Sequence, residues 1–228
     1  MTVLEVRRLG RTLYADAHAL QQELVTQRVD DAVGDLLLLT EHEPVITVGR
    51  GTPEEEKRLL ADSGIAVVEV ERGGEATYHG PGQLVAYPIV QLSEQRRDLH
   101  RYLRDLEEVV IRVLAEFGVE GRRESGLSGV WIGVRKVCSV GVAVRRWVAW
   151  HGFALNVHTD LAAFGEFQPC GLDPNVMTRL ADHAEVPPGN LLCEVLAVKH
   201  FCAVFGYELP PPPTEPPPKF PPLPLFPA

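Results

Sequence analysis

No two cysteines in this sequence have C-x-x-C spacing: Cys138, Cys170, Cys193 and Cys202 are scattered. There is no H-E-x-x-H either, so the spacing offers no metal cage, and a chain of 228 residues can bury enough core to need no disulfide staples. Long apolar runs are also missing. None in the first half is longer than the four leucines at 36–39, against the roughly 20 residues a membrane span requires. The opening MTVLEVRRLG has no apolar secretory core. Neither a Walker loop nor a G-x-G-x-x-G after a strand occurs, which leaves nucleotide use without a sign. Basic residues are outnumbered, 22 Lys+Arg against 31 Asp+Glu for a formal charge of −9. Such a balance disfavours nucleic acid, whose phosphates call for clustered Lys and Arg. These absences predict a reduced, cytoplasmic protein without metal, nucleic-acid or membrane partners.

What is present is a globular composition, 45% hydrophobic and 23% charged. It changes abruptly near Leu209, beyond which 210–227 holds 11 of the 19 prolines. Proline has no N–H and a fixed φ, so this tail can enter neither helix nor ladder. We therefore expect one globular domain over 1–208 and a dispensable Pro-rich tail over 209–228.

Within the domain, apolar periodicity predicts helices at 14–28, 98–117 and 191–205. Strands are expected at 35–39, 45–49, 65–70, 84–90, 129–134, 136–144 and 147–157. Thr52-Pro53-Glu54-Glu55 reads as a helix start, with Thr52 as the N-cap. Helices interleaved with hairpins, rather than strict alternation, predict an α+β fold with a mixed sheet.

Three segments stand out chemically. Residues 72–83, RGGEATYHGPGQ, combine four glycines and a proline with Arg, Thr, Tyr, His and Gln. That reads as a loop whose backbone approaches a ligand closely. In 135–141, RKVCSVG, strand spacing places Lys136 and Cys138 on one side, so Cys138 is a candidate nucleophile activated by a lysine. In Gln168-Pro169-Cys170-Gly171, the thiol sits on a sharp turn beside the Gly171 N–H, making Cys170 a second candidate.

Taken with WHGFALNV at 150–157, these strings resemble the octanoyltransferases of lipoate biosynthesis over about residues 30–180. The resemblance implies a single α+β domain related to biotin and lipoate protein ligases. It implies transfer of an octanoyl group from octanoyl-acyl carrier protein to a lysine of lipoyl domains, those of 2-oxoacid dehydrogenase complexes and the glycine cleavage H protein. By motif it assigns the acyl-thioester nucleophile to Cys170 and the lysine that activates it to Lys136. Substrate binding falls to Arg72, Gly73, Gly74, Glu75, Ala76, Thr77, Tyr78 and His79, to Ser139, Val140 and Gly141, and to Gly152, Phe153 and Ala154. No metal or other cofactor is implied.

The chemistry is consistent with those roles. A free thiol is only about 3% ionised at pH 7, and an ammonium nearby favours the thiolate. Buried acyl methylenes at ~0.8 kcal/mol each supply roughly 5 kcal/mol of anchoring before ordering costs. Gly73, Gly74, Gly141 and Gly152, with Val140, Phe153 and Leu155, are expected to form the acyl slot. His79 is the rival base. With a charge of −9, docking an acidic carrier protein needs a local basic patch. Arg7-Arg8, Arg96-Arg97 with Arg101 and Arg104, Arg122-Arg123 and Arg145-Arg146 are the candidates. Two other readings compete: an ATP-dependent lipoate or biotin ligase, which needs no cysteine, and a non-catalytic carrier-binding module.

Overall fold

The computed structural model describes residues 3–60, 62–166 and 173–211. Gln168, Pro169, Cys170 and Gly171, for which the sequence predicts a sharp turn, and the tail from Pro212 lie outside the described residues. In chain order the elements are β1 (Glu5–Thr12), α1 (Tyr14–Val29), β2 (Leu36–His42), β3 (Val45–Val48), α2 (Glu54–Leu60), β4 (Ala66–Glu69), β5 (Thr77–His79) and β6 (Gln83–Gln91). They continue with α3 (Leu99–Ala115), β7 (Val130–Ile132), β8 (Arg135–Arg145), β9 (Val148–Asn156) and α4 (Asn190–Phe205).

Six strands form one sheet in the order β1-β2-β6-β9-β8-β7, with β1 parallel to β2 and every other pair antiparallel. A second sheet, β4-β3-β5, pairs β3 parallel to β4 and antiparallel to β5. This is the expected α+β class with mixed sheets. The leucine run shows why the large sheet is covered on both faces. Leu36 and Leu38 pack with Leu24 and Val25 of α1, whereas Leu37 and Leu39 pack with Leu106, Val110 and Phe201 of α3 and α4. Asp98 caps α3 by accepting the Arg101 N–H at 3.1 Å.

Three features differ from the sequence reading. β1 has no apolar pattern to announce it, because EVRRLGRT has few apolar residues; as an edge strand it leaves Arg7 and Arg11 to pair with Glu5 and Glu41. Residues 72–83 are not all loop, since Thr77–His79 forms β5 against β3. Thr52 does not cap α2. The Lys57 N–H donates to the Pro53 carbonyl at 3.1 Å, so the helix begins one residue later, and Thr52 Oγ1 is buried without a hydrogen-bond partner among the described residues. No helix among the described residues is long and apolar enough to cross a membrane.

Candidate active site

The segment before β5, β5 itself, β8 and β9 converge on a cavity of about 190 Å³. Arg72, Gly74, Glu75, Thr77 and His79 line it from the first, Lys136, Ser139, Val140 and Gly141 from β8, and Gly152, Phe153 and Ala154 from β9. Three expected neighbours are not among its lining residues. Gly73 donates its N–H to the Val142 carbonyl at 3.0 Å, and Ala76 and Tyr78 face the small sheet's core with Ile46 and Phe164. The cause is strand alternation: Thr77 and His79 share one face of β5, Ala76 and Tyr78 the other. Leu155 likewise belongs to the main core rather than the slot.

A buried polar chain fixes the cavity wall. Arg72, 8% exposed, donates to the Gly73 and Glu75 carbonyls and, through Nη2, to Thr47 O and Oγ1, both at 2.9 Å. Gln83 Nε2 donates to Tyr78 O at 3.1 Å and Asn156 Oδ1 at 3.0 Å, which turns its Oε1 toward His79 Nδ1 at 2.7 Å. An amide oxygen only accepts, so His79 carries its proton on Nδ1 and its Nε2 accepts from Thr47 Oγ1 at 3.2 Å. Burial, and the neighbouring His42, lower the His79 pKa to about 3. A ring that is neutral with both nitrogens engaged is poorly placed as a base. By contrast, Glu75 Oε2 and Thr77 Oγ1 are buried at the cavity with no hydrogen-bond partner among the described residues.

Lys136 is 2% exposed. Its Nζ lies 5.2 Å from the centre of the Trp131 ring, and that ammonium makes no ion pair or hydrogen bond among the described residues. Gly129, at φ +125°, leaves its path open: a Cβ there would lie 2.8 Å from Lys136 Cε. Glu107, fully buried on α3, accepts the Gly129 N–H at 2.9 Å and pairs with Arg104 and Arg123. It thereby anchors the end of the 126–128 segment that lines the cavity. Cys138 lies in the main core, and burial pushes its thiol well above the usual range even though Lys136 opposes the shift. Cys138 is therefore a packing residue in this fold. Of the segments flanking residues 167–172, Phe164 packs edge-on to Tyr78 at 5.5 Å in the small sheet's core, and Met177 forms a parallel bridge with Lys136.

Sequence reasoning missed Tyr14, Val85, Tyr87 and His151 on the cavity wall. His42, also missed, binds Tyr87 Oη through Nε2 at 2.8 Å, and burial lowers its pKa to about 4. His151 has φ +57° inside β9, beside Gly152, where any Cβ would collide with the Ala86 carbonyl and sit 2.6 Å from Pro88 Cδ. A proline in a central strand is the one sequence signal for this irregularity.

The lipoyl protein ligase A/B catalytic domain model matches residues 13–200. An octanoyltransferase of Rubrobacter xylanophilus is 52% identical over 206 residues, covering 85% of this chain and 91% of that protein. Among solved structures, the bipartite lipoate protein ligase of Thermoplasma acidophilum superimposes with a TM-score of 0.72 at 18% identity, covering 92% of this chain and 86% of that one. Biotin protein ligase from Aquifex aeolicus gives 0.52 at 13% identity, covering 90% and 70%, and shares the fold alone. On the strength of the domain match and the relatives' identity, the chain belongs to the octanoyltransferase family of lipoyl protein ligase A/B catalytic domains.

Proposed function

We propose that this protein transfers an octanoyl group from octanoyl-acyl carrier protein to the lysine ε-amine of lipoyl domains through a thioester on Cys170. The supporting observation is Lys136, an ammonium buried in the wall of the cavity without a carboxylate partner among the described residues. A buried cation is costly unless an anion joins it. A thiolate on Cys170, seven residues before Met177 in sequence, would meet that need.

The steps balance as follows. Cys170 thiolate attacks the donor carbonyl; its C–S bond forms as the bond to the carrier's pantetheine sulfur breaks, and Lys136 gives its proton to the departing thiolate. Thr77 Oγ1 and backbone N–H groups, that of Gly171 among them, hold the oxyanion. The acceptor lysine then attacks the acyl-enzyme, its C–N bond forming as the C–S bond breaks. Lys136 takes the amine's proton, restoring the thiolate–ammonium pair. Val140, Phe153 and Ala154 enclose the acyl chain.

The competing ligase reading needs ATP and free octanoate. Incubation of the protein and a lipoyl domain with octanoyl-carrier protein alone should give the octanoylated domain, detected by mass. Modification that requires free octanoate with ATP would replace this reading with a ligase.

A further inference from the structure

We propose that His18, Glu71 and His151 form a binding site for a divalent transition-metal ion of the zinc class. The three ligand atoms lie within 4.8 Å of one another. His18 Nε2 is 3.0 Å from Glu71 Oε2, and His151 Nε2 is 3.8 Å from the same oxygen. Ligand atoms about 3.3 Å apart are what tetrahedral bonds of roughly 2.0–2.1 Å require. The two separations bracket that value, and the third lies within 4.8 Å.

The second observation is His151 itself. Its side chain is 2% exposed, and Nε2 is buried without a hydrogen-bond partner among the described residues. An orphaned nitrogen of this kind is a standing cost, and it is held in place by a left-handed backbone, φ +57°. Stacking of its ring on Trp150 at 4.2 Å fixes the plane further. Gln22 Nε2 donates to Glu71 Oε1 at 3.2 Å and orients the carboxylate. Glu71 is 47% exposed and opens onto a surface groove lined by Gln22, Arg50, Arg145 and Trp150, which gives an entry path and a fourth coordination position.

The ion's class follows from the donors. Two imidazoles with one carboxylate select ions with strong nitrogen affinity, Zn²⁺, Ni²⁺ or Cu²⁺, over Mg²⁺ and Ca²⁺. The residues come from α1, the segment before β5, and β9, so no sequence spacing could reveal them. The inference is independent of the acyl-transfer reading.

The test is titration of the purified protein with Co²⁺ and Zn²⁺, followed by the visible bands of four-coordinate cobalt and by calorimetry. One ion per chain is expected, with affinity falling at least tenfold in His18→Ala and in Glu71→Gln and unchanged in His100→Ala, an exposed histidine elsewhere. Thermal unfolding of each variant without metal shows that the fold is intact. No binding at 100 µM metal, thiolate-to-cobalt bands, or affinity unchanged in His18→Ala would overturn the proposal.

Discussion

Thr178 donates its backbone N–H to the Lys136 carbonyl at 2.9 Å, while its own carbonyl accepts from Asn156 Nδ2 at 3.0 Å. The segment that follows Cys170 in sequence is thus clipped to the strand that carries Lys136, and the clip extends through Gln83 to His79.

Asn156→Ala removes the middle of this chain without touching the cavity. Two buried groups, Gln83 Nε2 and Thr178 O, each lose a partner, at about 1–3 kcal/mol apiece. Urea denaturation should show a lower midpoint, and transfer by the still-folded variant should fall at least tenfold. Full activity would mean that the clip does not position the segment of the proposed nucleophile, Cys170.

Stability should fall on mild acidification. Burial holds the folded-state pKa of His42 at about 4 and of His79 at about 3, and lowers that of His151 as well. In the unfolded chain each titrates near 6.5, so below that pH the unfolded state binds more protons. The stabilisation is complete above pH 6.5 and is lost as pH falls toward the folded values, at up to about 1.4 kcal/mol per pH unit for each histidine. Denaturation series at pH 7.5 and 5.0 test this; equal midpoints would contradict it.

Of the four basic clusters, three are largely spent on carboxylates or backbone. Arg7 and Arg8 pair with Glu5 and Glu194, Arg122 and Arg123 with Glu124, Glu107 and Glu108, and Arg104 with Glu107. Arg96 donates to the Phe205 carbonyl. Among the described residues the Arg145 side chain donates only to Thr26 Oγ1, and Arg97 stacks over Trp147 at the β8–β9 turn, 5.3 Å from the ring centre. Arg97→Glu with Arg145→Glu should raise KM for the carrier protein about tenfold, spare kcat and flatten the salt dependence. Arg122→Glu should do none of these; an equal effect from it would remove the assignment.

Lys136→Arg separates the two half-reactions. Arginine retains the charge that favours a thiolate but cannot serve as a base. Rapid-quench measurements should show acylation partly retained and transfer to the lipoyl domain slowed far more. Equal losses in both steps would show that Lys136 is not the shared base.

Elements with strong local patterns were readable from sequence: the apolar stripe of α3, the leucine run of β2 and the hairpin of β8 and β9. The rest depends on partners distant in sequence. β5 is three residues whose pairing strand lies some thirty residues upstream, and β1 is an edge strand with little apolar content to mark it. Motif strings identified most of the cavity wall, but strand alternation removed Ala76 and Tyr78 from it. Tyr14, Tyr87 and His42 carry no local signature, since each resembles an ordinary core residue until the sheets bring them together. Cys138 and Lys136 illustrate the converse, two neighbours alike in sequence but separated by the packing into core and cavity.

The central claim rests on which sulfur carries the acyl group. Intact-mass spectrometry after mixing with octanoyl-carrier protein, without acceptor, addresses it directly. A single octanoyl adduct is predicted on the native protein and on Cys138→Ala, and none on Cys170→Ala. An adduct that persists on Cys170→Ala, or that disappears from a folded Cys138→Ala, would contradict the account.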